Sequence, residues 1–201
     1  MRDLLDQEHG VRLDIAAYFA EFEELFWRIG AEGFWKLECL QSYQEPGFAS
    51  WDAFNRGDWA ASLQLLREEG PAFADFYGQI RVAGFSHHRV RVVEEPVSPY
   101  VQWELHLLQA KDQYGEGVSV LTRDRALALG ATLPLPDLVV LGKEALYEVH
   151  STPEGRLAGA TRYTDRAVVD GVRTRVQQLH RGGEPLASYF PRAVADLAAP
   201  S

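Results

Sequence analysis

The spacing of apolar residues divides the chain into a helical first part and a strand-rich second part. Ile15, Tyr18, Phe19, Phe22, Leu25, Phe26 and Ile29 recur at steps of three and four, so they line one face of a helix. Asp14 is placed to cap that helix and Gly30 to stop it. A strand is expected over residues 34–43, ended by the turn Glu45-Pro46-Gly47. Residues 51–66, with Phe54, Trp59, Leu63 and Leu66 as their apolar positions, read as short helices broken near Gly57. Gly70-Pro71 restarts the chain into a helix carrying Phe73, Phe76, Tyr77 and Ile80.

From residue 88 the period shortens to two. Val90 and Val92 alternate with Arg89 and Arg91 over residues 88–93, which sends valines and arginines to opposite faces of a strand. Further short strands are expected at 118–121, 138–141, 146–150 and 157–163. Gly142-Lys143-Glu144 suits a hairpin turn and Pro153-Glu154-Gly155 the turn after it. A short helix over 124–129 ends at Gly130, and Asp165 caps a last helix with Val168, Val169, Val172, Val176 and Leu179 on its buried side. This order predicts an α/β fold. It has a mixed sheet with a βαβ unit followed by a strand meander, flanked by helices, and an N-terminal helical segment. Residues 14–190 form the single globular domain in this reading, with 1–13 a flexible leader and 191–201 a tail rich in Ala and Pro.

Ser98-Pro99 is a strong helix start, a serine at the N-cap and a proline at the first helical position. A helix over residues 99–110 gathers Tyr100, Trp103, Leu107 and Leu108 into an apolar stripe and Gln102, His106 and Gln109 into a polar face. Glu104 falls inside the stripe, where a carboxylate must be paired, hydrogen-bonded or protonated. The segment also alternates, Val101, Trp103, Leu105 and Leu107 against Gln102, Glu104 and His106, which fits a half-buried strand. The capping pair and the need for a crossover between two strands favour the helix. Arg89 or Arg91 is then the natural partner of Glu104, because a guanidinium matches a carboxylate bidentately. Glu116 and Arg123, on either side of the next strand, are expected in the same cluster. Either the cluster is an ion pair fixing helix to sheet, or Arg89, Arg91, Tyr100, Glu104, Glu116 and Arg123 form a ligand site at the strand ends.

Composition narrows the function classes. The 201 residues are 46% hydrophobic and 24% charged, which excludes wholesale disorder. Twenty Lys and Arg against 29 Asp and Glu leave a net charge of −9, so no direct nucleic-acid partner is expected. The arginines between 156 and 181 are interspersed with Asp165 and Asp170 and read as a solvated helix face. No apolar run reaches the ~20 residues of a membrane span, so a cytoplasmic protein without a membrane partner is expected. The single cysteine, Cys39, excludes an intramolecular disulfide and reads as a small buried hydrophobe. Adjacent His87 and His88 point to opposite faces of a strand, so no metal site is expected, and no cofactor either. Neither a zinc-protease His-Glu-x-x-His, a nucleophile elbow, a dinucleotide fingerprint nor a Walker loop occurs in the sequence. Among the tryptophans, Trp51 and Trp59 flank a polar, Gly-containing stretch and are the candidate partner surface.

Arg89-Val90-Arg91-Val92-Val93, Pro96-Val97-Ser98-Pro99-Tyr100, Trp103-Glu104-Leu105 and Gly115-Glu116 form an ordered series, joined by Glu24-Leu25-Phe26, Leu37-Glu38 and Leu135-Pro136-Asp137. The series resembles an actinobacterial family, domain of unknown function 6879, over roughly residues 19–190. The chain departs from it at Ser98-Pro99-Tyr100, where an acidic residue more usually precedes the tyrosine, and in its longer leader. The resemblance implies a small cytoplasmic protein often encoded near helix-turn-helix regulators, and it brings no biochemical activity. The strand order is also similar to a phospholipase-D-like domain. That superfamily's chemistry needs a His-x-Lys that this sequence lacks, so the likeness implies a binding scaffold.

A non-enzymatic regulatory or interaction protein is therefore expected. Its ligand is a protein partner, such as a helix-turn-helix regulator, or a small anionic molecule. The alternative is a small hydrolase or phosphoryl-transfer enzyme, with Glu104 as acid or base and Arg89 or Arg91 clamping an anion.

Overall fold

Side-chain caps open most of the longer helices, and strands alternate with them along the chain. The computed structural model describes residues 1–5 and 10–200. Helix α1 (Arg2–Leu5) and strand β1 (Val11–Leu13) precede α2 (Ile15–Phe26). The Asp14 carboxylate accepts the Ala17 amide at 2.8 Å and so starts α2. Strand β2 (Phe34–Glu38) leads through α3 (Ala49–Asn55), α4 (Trp59–Glu68) and α5 (Gly70–Ala83) to β3 (His87–Val93). Helix α6 (Pro99–Asp112) begins where Ser98 Oγ accepts the Val101 amide at 3.1 Å, and it crosses to β4 (Glu116–Thr122). After α7 (Arg123–Ala128) come β5 (Asp137–Leu141), β6 (Ala145–Ser151), β7 (Leu157–Tyr163), α8 (Arg166–Gly182), β8 (Glu184–Pro185) and α9 (Leu186–Ala193). Residues 99–110 are helix, and the alternating-strand geometry does not occur there.

One eight-stranded mixed sheet runs β1-β7-β6-β5-β2-β3-β4-β8. Strands β2, β3 and β4 are parallel because a helical crossover separates each from the next, whereas the meander β5-β6-β7 pairs antiparallel through tight turns. The α/β class, the βαβ unit and the meander thus all appear. Period-two alternation supplies both faces with apolar side chains. Val90, Val92, Leu121 and Leu138 meet Val169, Val172, Val176 and Leu179 of α8 on one side. Val93, Val118, Val120 and Val139 belong to the core on the other side, with Phe26, Ile80, Trp103, Leu105 and Tyr189 from the helices there. Among the described residues no helix is long and apolar enough to cross a membrane.

Both ends of the chain are more structured than their composition suggests. Residues 11–13 of the expected leader pair with β7 as an edge strand. Gly159 permits that approach: at φ +106 a side chain is disfavoured, and a Cβ there would lie 2.3 Å from Leu13 O. Leu5 and Leu13 are buried, while residues 6–9 of that leader and residue 201 of the tail lie outside the described residues. At the other end Leu186, Tyr189, Phe190 and Val194 are buried, and Gln102 Nε2 donates to Ala198 O at 2.9 Å. The polar face expected on α6 is therefore covered by α9 and the chain beyond it. Helix α2 ends at Phe26, short of Gly30, and Phe19 on its expected buried stripe is exposed.

Candidate functional site

The parallel strands send every second side chain toward α5 and α6. Phe34, Lys36 and Glu38 of β2 lie beside His87, Arg89 and Arg91 of β3, and His87 lies beside Glu116 of β4. A row of charges is thereby placed beneath helices, where each must be matched.

Arg91 is closed in on all sides. Its Nε donates to Glu104 Oε2 at 2.5 Å, its Nη1 to Val92 O at 2.7 Å and its Nη2 to Leu40 O at 2.7 Å. Both side chains are buried. Burial, with the negative charge of Glu38 adding to it, lifts the Glu104 carboxyl above the usual range against the pull of Arg91. The guanidinium thus joins α6 to the carboxyl ends of β2 and β3.

Arg89, two residues earlier, has a different setting. Its Nε donates to Glu116 Oε1 at 2.5 Å and its Nη1 to Glu38, which also takes the Lys36 ammonium. Tyr77 of α5 donates its hydroxyl to Glu116 Oε2 at 2.5 Å. Burial is the largest influence on both carboxylates, yet Arg89 and the neighbouring cations together outweigh it. Glu116 is brought down to about 2 and Glu38 below the usual range, with Lys36 helping. Neither carboxylate is then placed to exchange a proton near neutral pH.

Unlike Arg91, Arg89 opens onto a cleft. The cavity holds about 620 Å³ between α2 and α5, floored by Lys36, His87, Arg89 and Lys111 and walled by Phe22, Phe26, Phe73 and Phe76. A chamber of about 250 Å³, containing Glu38, Tyr43, Glu45 and Asp137, adjoins it and shares Tyr18, Lys36 and Val139. Lys111, in the last turn of α6, holds its ammonium 5.7 Å from the centre of the Phe73 ring. Among the described residues it has no carboxylate within ion-pair distance. Burial draws it below the ordinary lysine value, with Glu116 partly opposing. His87 stacks on Phe34 at 4.1 Å, and burial brings it down to about 3, so its ring is neutral. Its buried Nδ1 faces Glu116 Oε1 at 3.5 Å without forming a hydrogen bond among the described residues. The site thus combines fixed cations, a neutral imidazole and an aromatic wall, an arrangement fitted to holding an anion with an apolar body.

A family model described as Domain of unknown function (DUF6879) matches residues 20–191. The chain belongs to this family. The match spans the whole charged row and every residue named in the DUF6879 cleft except Tyr18. No curated protein and no solved structure matches the chain.

Of the expected site residues in this DUF6879 chain, Arg91 meets Glu104 and Arg89 meets Glu116, two ion pairs linked by Glu38, whose carboxylate takes Arg89 and whose carbonyl accepts from Arg91 Nη1 at 3.3 Å. Tyr100 is buried and donates to Glu45 Oε1 at 3.3 Å, beside the smaller chamber. Arg123 does not join them. It forms an exposed pair with Glu94 at 3.7 Å, because it follows β4 while Glu116 begins it, roughly 20 Å apart at 3.3 Å per residue. Arg123 lines a groove of about 540 Å³ near the carboxyl ends of β2 and β3, together with Cys39. Charges in that groove pair among themselves, Arg2 with Glu148 at 2.7 Å. Trp51 is not a surface residue, since only 5% of it is exposed, and Trp59 is half-buried with its ring 5.2 Å from His106. Both lie on helices packed near α6, where Trp103 Nε1 donates to Ser50 Oγ at 3.0 Å.

Lys36, Glu38, Tyr77 and Lys111 were not among the expected site residues. Two signals pointed to them. Phe34, Lys36 and Glu38 alternate along one strand face, and Lys111 follows Glu104 by seven residues, two helical turns.

Proposed function

We propose that this protein is a non-catalytic regulatory module whose cleft between α2 and α5 takes up a small anionic ligand. One observation carries the reading: Lys111 points its ammonium into an aromatic-walled cleft, and among the described residues no carboxylate pairs with it. Lys111 is half-buried; a partly desolvated cation without a direct ion-pair partner is costly, and an incoming anion relieves that cost. The resemblance to proteins encoded near helix-turn-helix regulators supports such a regulator as the partner that reads ligand occupancy, in the cytoplasm of an actinobacterium. The likeness of the sequence to a phospholipase-D-like domain, without the His-x-Lys that superfamily's chemistry needs, is in keeping with a binding scaffold. The hydrolase alternative has less behind it. Glu38 and Glu116 are committed to Arg89, and Glu104 is not among the residues lining the cleft.

Thermal melts of the full chain in benzoate, acetate, sulfate and inorganic phosphate test the reading. A ligand that binds only the folded state raises the melting temperature with its concentration, by about 2.7 kcal/mol of stabilisation at a hundred times Kd. At least one anion is expected to do so in the wild type and to lose the effect in Lys111→Met. Equal shifts in wild type and mutant, or none with any anion, overturn the reading.

A further inference from the structure

The charge inventory of the cleft sets the size of the anion. Its floor carries three cations, Lys36, Arg89 and Lys111. Two carboxylates pair with them, Glu38 with Lys36 and Arg89, and Glu116 with Arg89. Three minus two leaves one positive charge, and the neutral His87 adds none. Glu23, the remaining charged residue lining the cleft, is exposed. The smaller chamber supplies no further cation beyond the shared Lys36, and Glu45 and Asp137 stand there instead. A dianion entering the floor would therefore meet a single surplus charge with carboxylates close behind it.

The walls set the body of the ligand. Phe26 of α2 stacks on Phe76 of α5 at 5.9 Å between ring centres, and Trp27 meets Phe76 at 6.0 Å. Trp27 and Phe76 are 44% and 37% exposed, so the apolar wall continues from the buried floor to the solvent. Such a surface favours a ring or a hydrocarbon chain over a sugar or a peptide backbone.

We infer that the cleft binds an apolar monocarboxylic acid, with its carboxylate on Lys111 and its ring or chain along the aromatic wall. The inference rests on the anion-binding function proposed above and narrows it to one head-group charge and one kind of body. Burial draws Lys111 below the ordinary lysine value, and an approaching carboxylate acts in the opposite direction.

Isothermal titration of the full chain with 2-naphthoate, its neutral isostere 2-naphthamide, 2-naphthyl phosphate and inorganic phosphate decides the matter. Naphthoate is expected to bind at least tenfold more tightly than naphthamide and than either phosphate. In Lys111→Met that preference should shrink to within twofold while naphthamide binding persists. Lys111→Gln provides the same reading should the methionine variant fail to fold. Equal affinity of naphthoate and naphthamide for the wild type, or an undiminished preference in both variants, overturns the inference. Binding of a phosphate without binding of naphthoate overturns the monocarboxylate but leaves the anion-binding function standing. Binding of none of the anions removes both.

Discussion

Arg89 and Arg91 stand on the same face of the same strand, two residues apart, yet their surroundings give them different work. Arg91 is wholly inaccessible and spends its donors on Glu104 and on backbone carbonyls at the end of the sheet. Arg89 is also paired, but it lines a cleft that Lys36 and Lys111 enter from other elements. The difference lies in what covers each position. Trp103 and Leu105 of α6, both buried, stand on either side of Glu104 in sequence, whereas the space over Arg89 is bordered by α2 and α5, whose aromatic rings leave a cavity. A buried guanidinium is thus a structural tie or a site component according to whether the overlying helices close over it.

The largest expected effect breaks the tie. Glu104→Ala leaves the Arg91 charge buried without its carboxylate and should destabilise by about 3–5 kcal/mol in urea unfolding. Glu104→Gln keeps shape and an acceptor and should cost less. A loss under about 1 kcal/mol for the alanine variant would make the two arginines equivalent. Next, Glu116→Ala should cost about 2 kcal/mol, because Arg89 retains Glu38 as a partner. If it exceeds the loss for Glu104→Ala, the cleft side carries more of the fold than the closed side.

Acid provides a third, smaller lever. Burial pulls His87 from its ordinary 6.5 down to about 3. The unfolded chain therefore binds the proton first, and the stability that His87 contributes is complete above pH 6.5 and lost as pH falls toward 3. One such proton steepens the decline by up to about 1.4 kcal/mol per pH unit. His87→Phe should flatten the fall of the urea midpoint between pH 6.5 and 4.5, leaving in place whatever the Glu104 carboxyl, raised by burial, contributes there. An unchanged slope would mean that the ring titrates normally. The smallest effect has the opposite sign. Lys111→Met removes an unmatched cation and should raise stability by about 0.5–1 kcal/mol, the direction in which binding sites commonly trade stability for function. A destabilised Lys111→Met would place Lys111 with Arg91 as a structural residue.

Much of this arrangement was legible from local chemistry. The Ser98-Pro99 start, the position of Glu104 in the α6 stripe and the Arg89/Arg91 alternation together point to a pair of Glu104 with Arg89 or Arg91, and the structure selects Arg91. The covering of α6 was not legible in the same way. Gln102 and His106 read as solvent-facing because nothing near them in sequence covers them, and α9, which does, lies some eighty residues on. Its Ala- and Pro-rich sequel masked the helical spacing of Leu186, Tyr189, Phe190 and Val194. The cleft was hidden for a related reason: it is assembled from α2, β2, β3, α5 and α6, and only the sheet register brings Lys36 next to Arg89.

The two shortest strands close the sheet, three residues of β1 on one side and two of β8 on the other. An edge that short presents few free backbone groups for another chain to pair with. Self-association by strand addition, the common route to fibres, is thereby discouraged at both margins. A partner of the kind proposed above would therefore meet the helical layers, where α2 and α5 border the cleft.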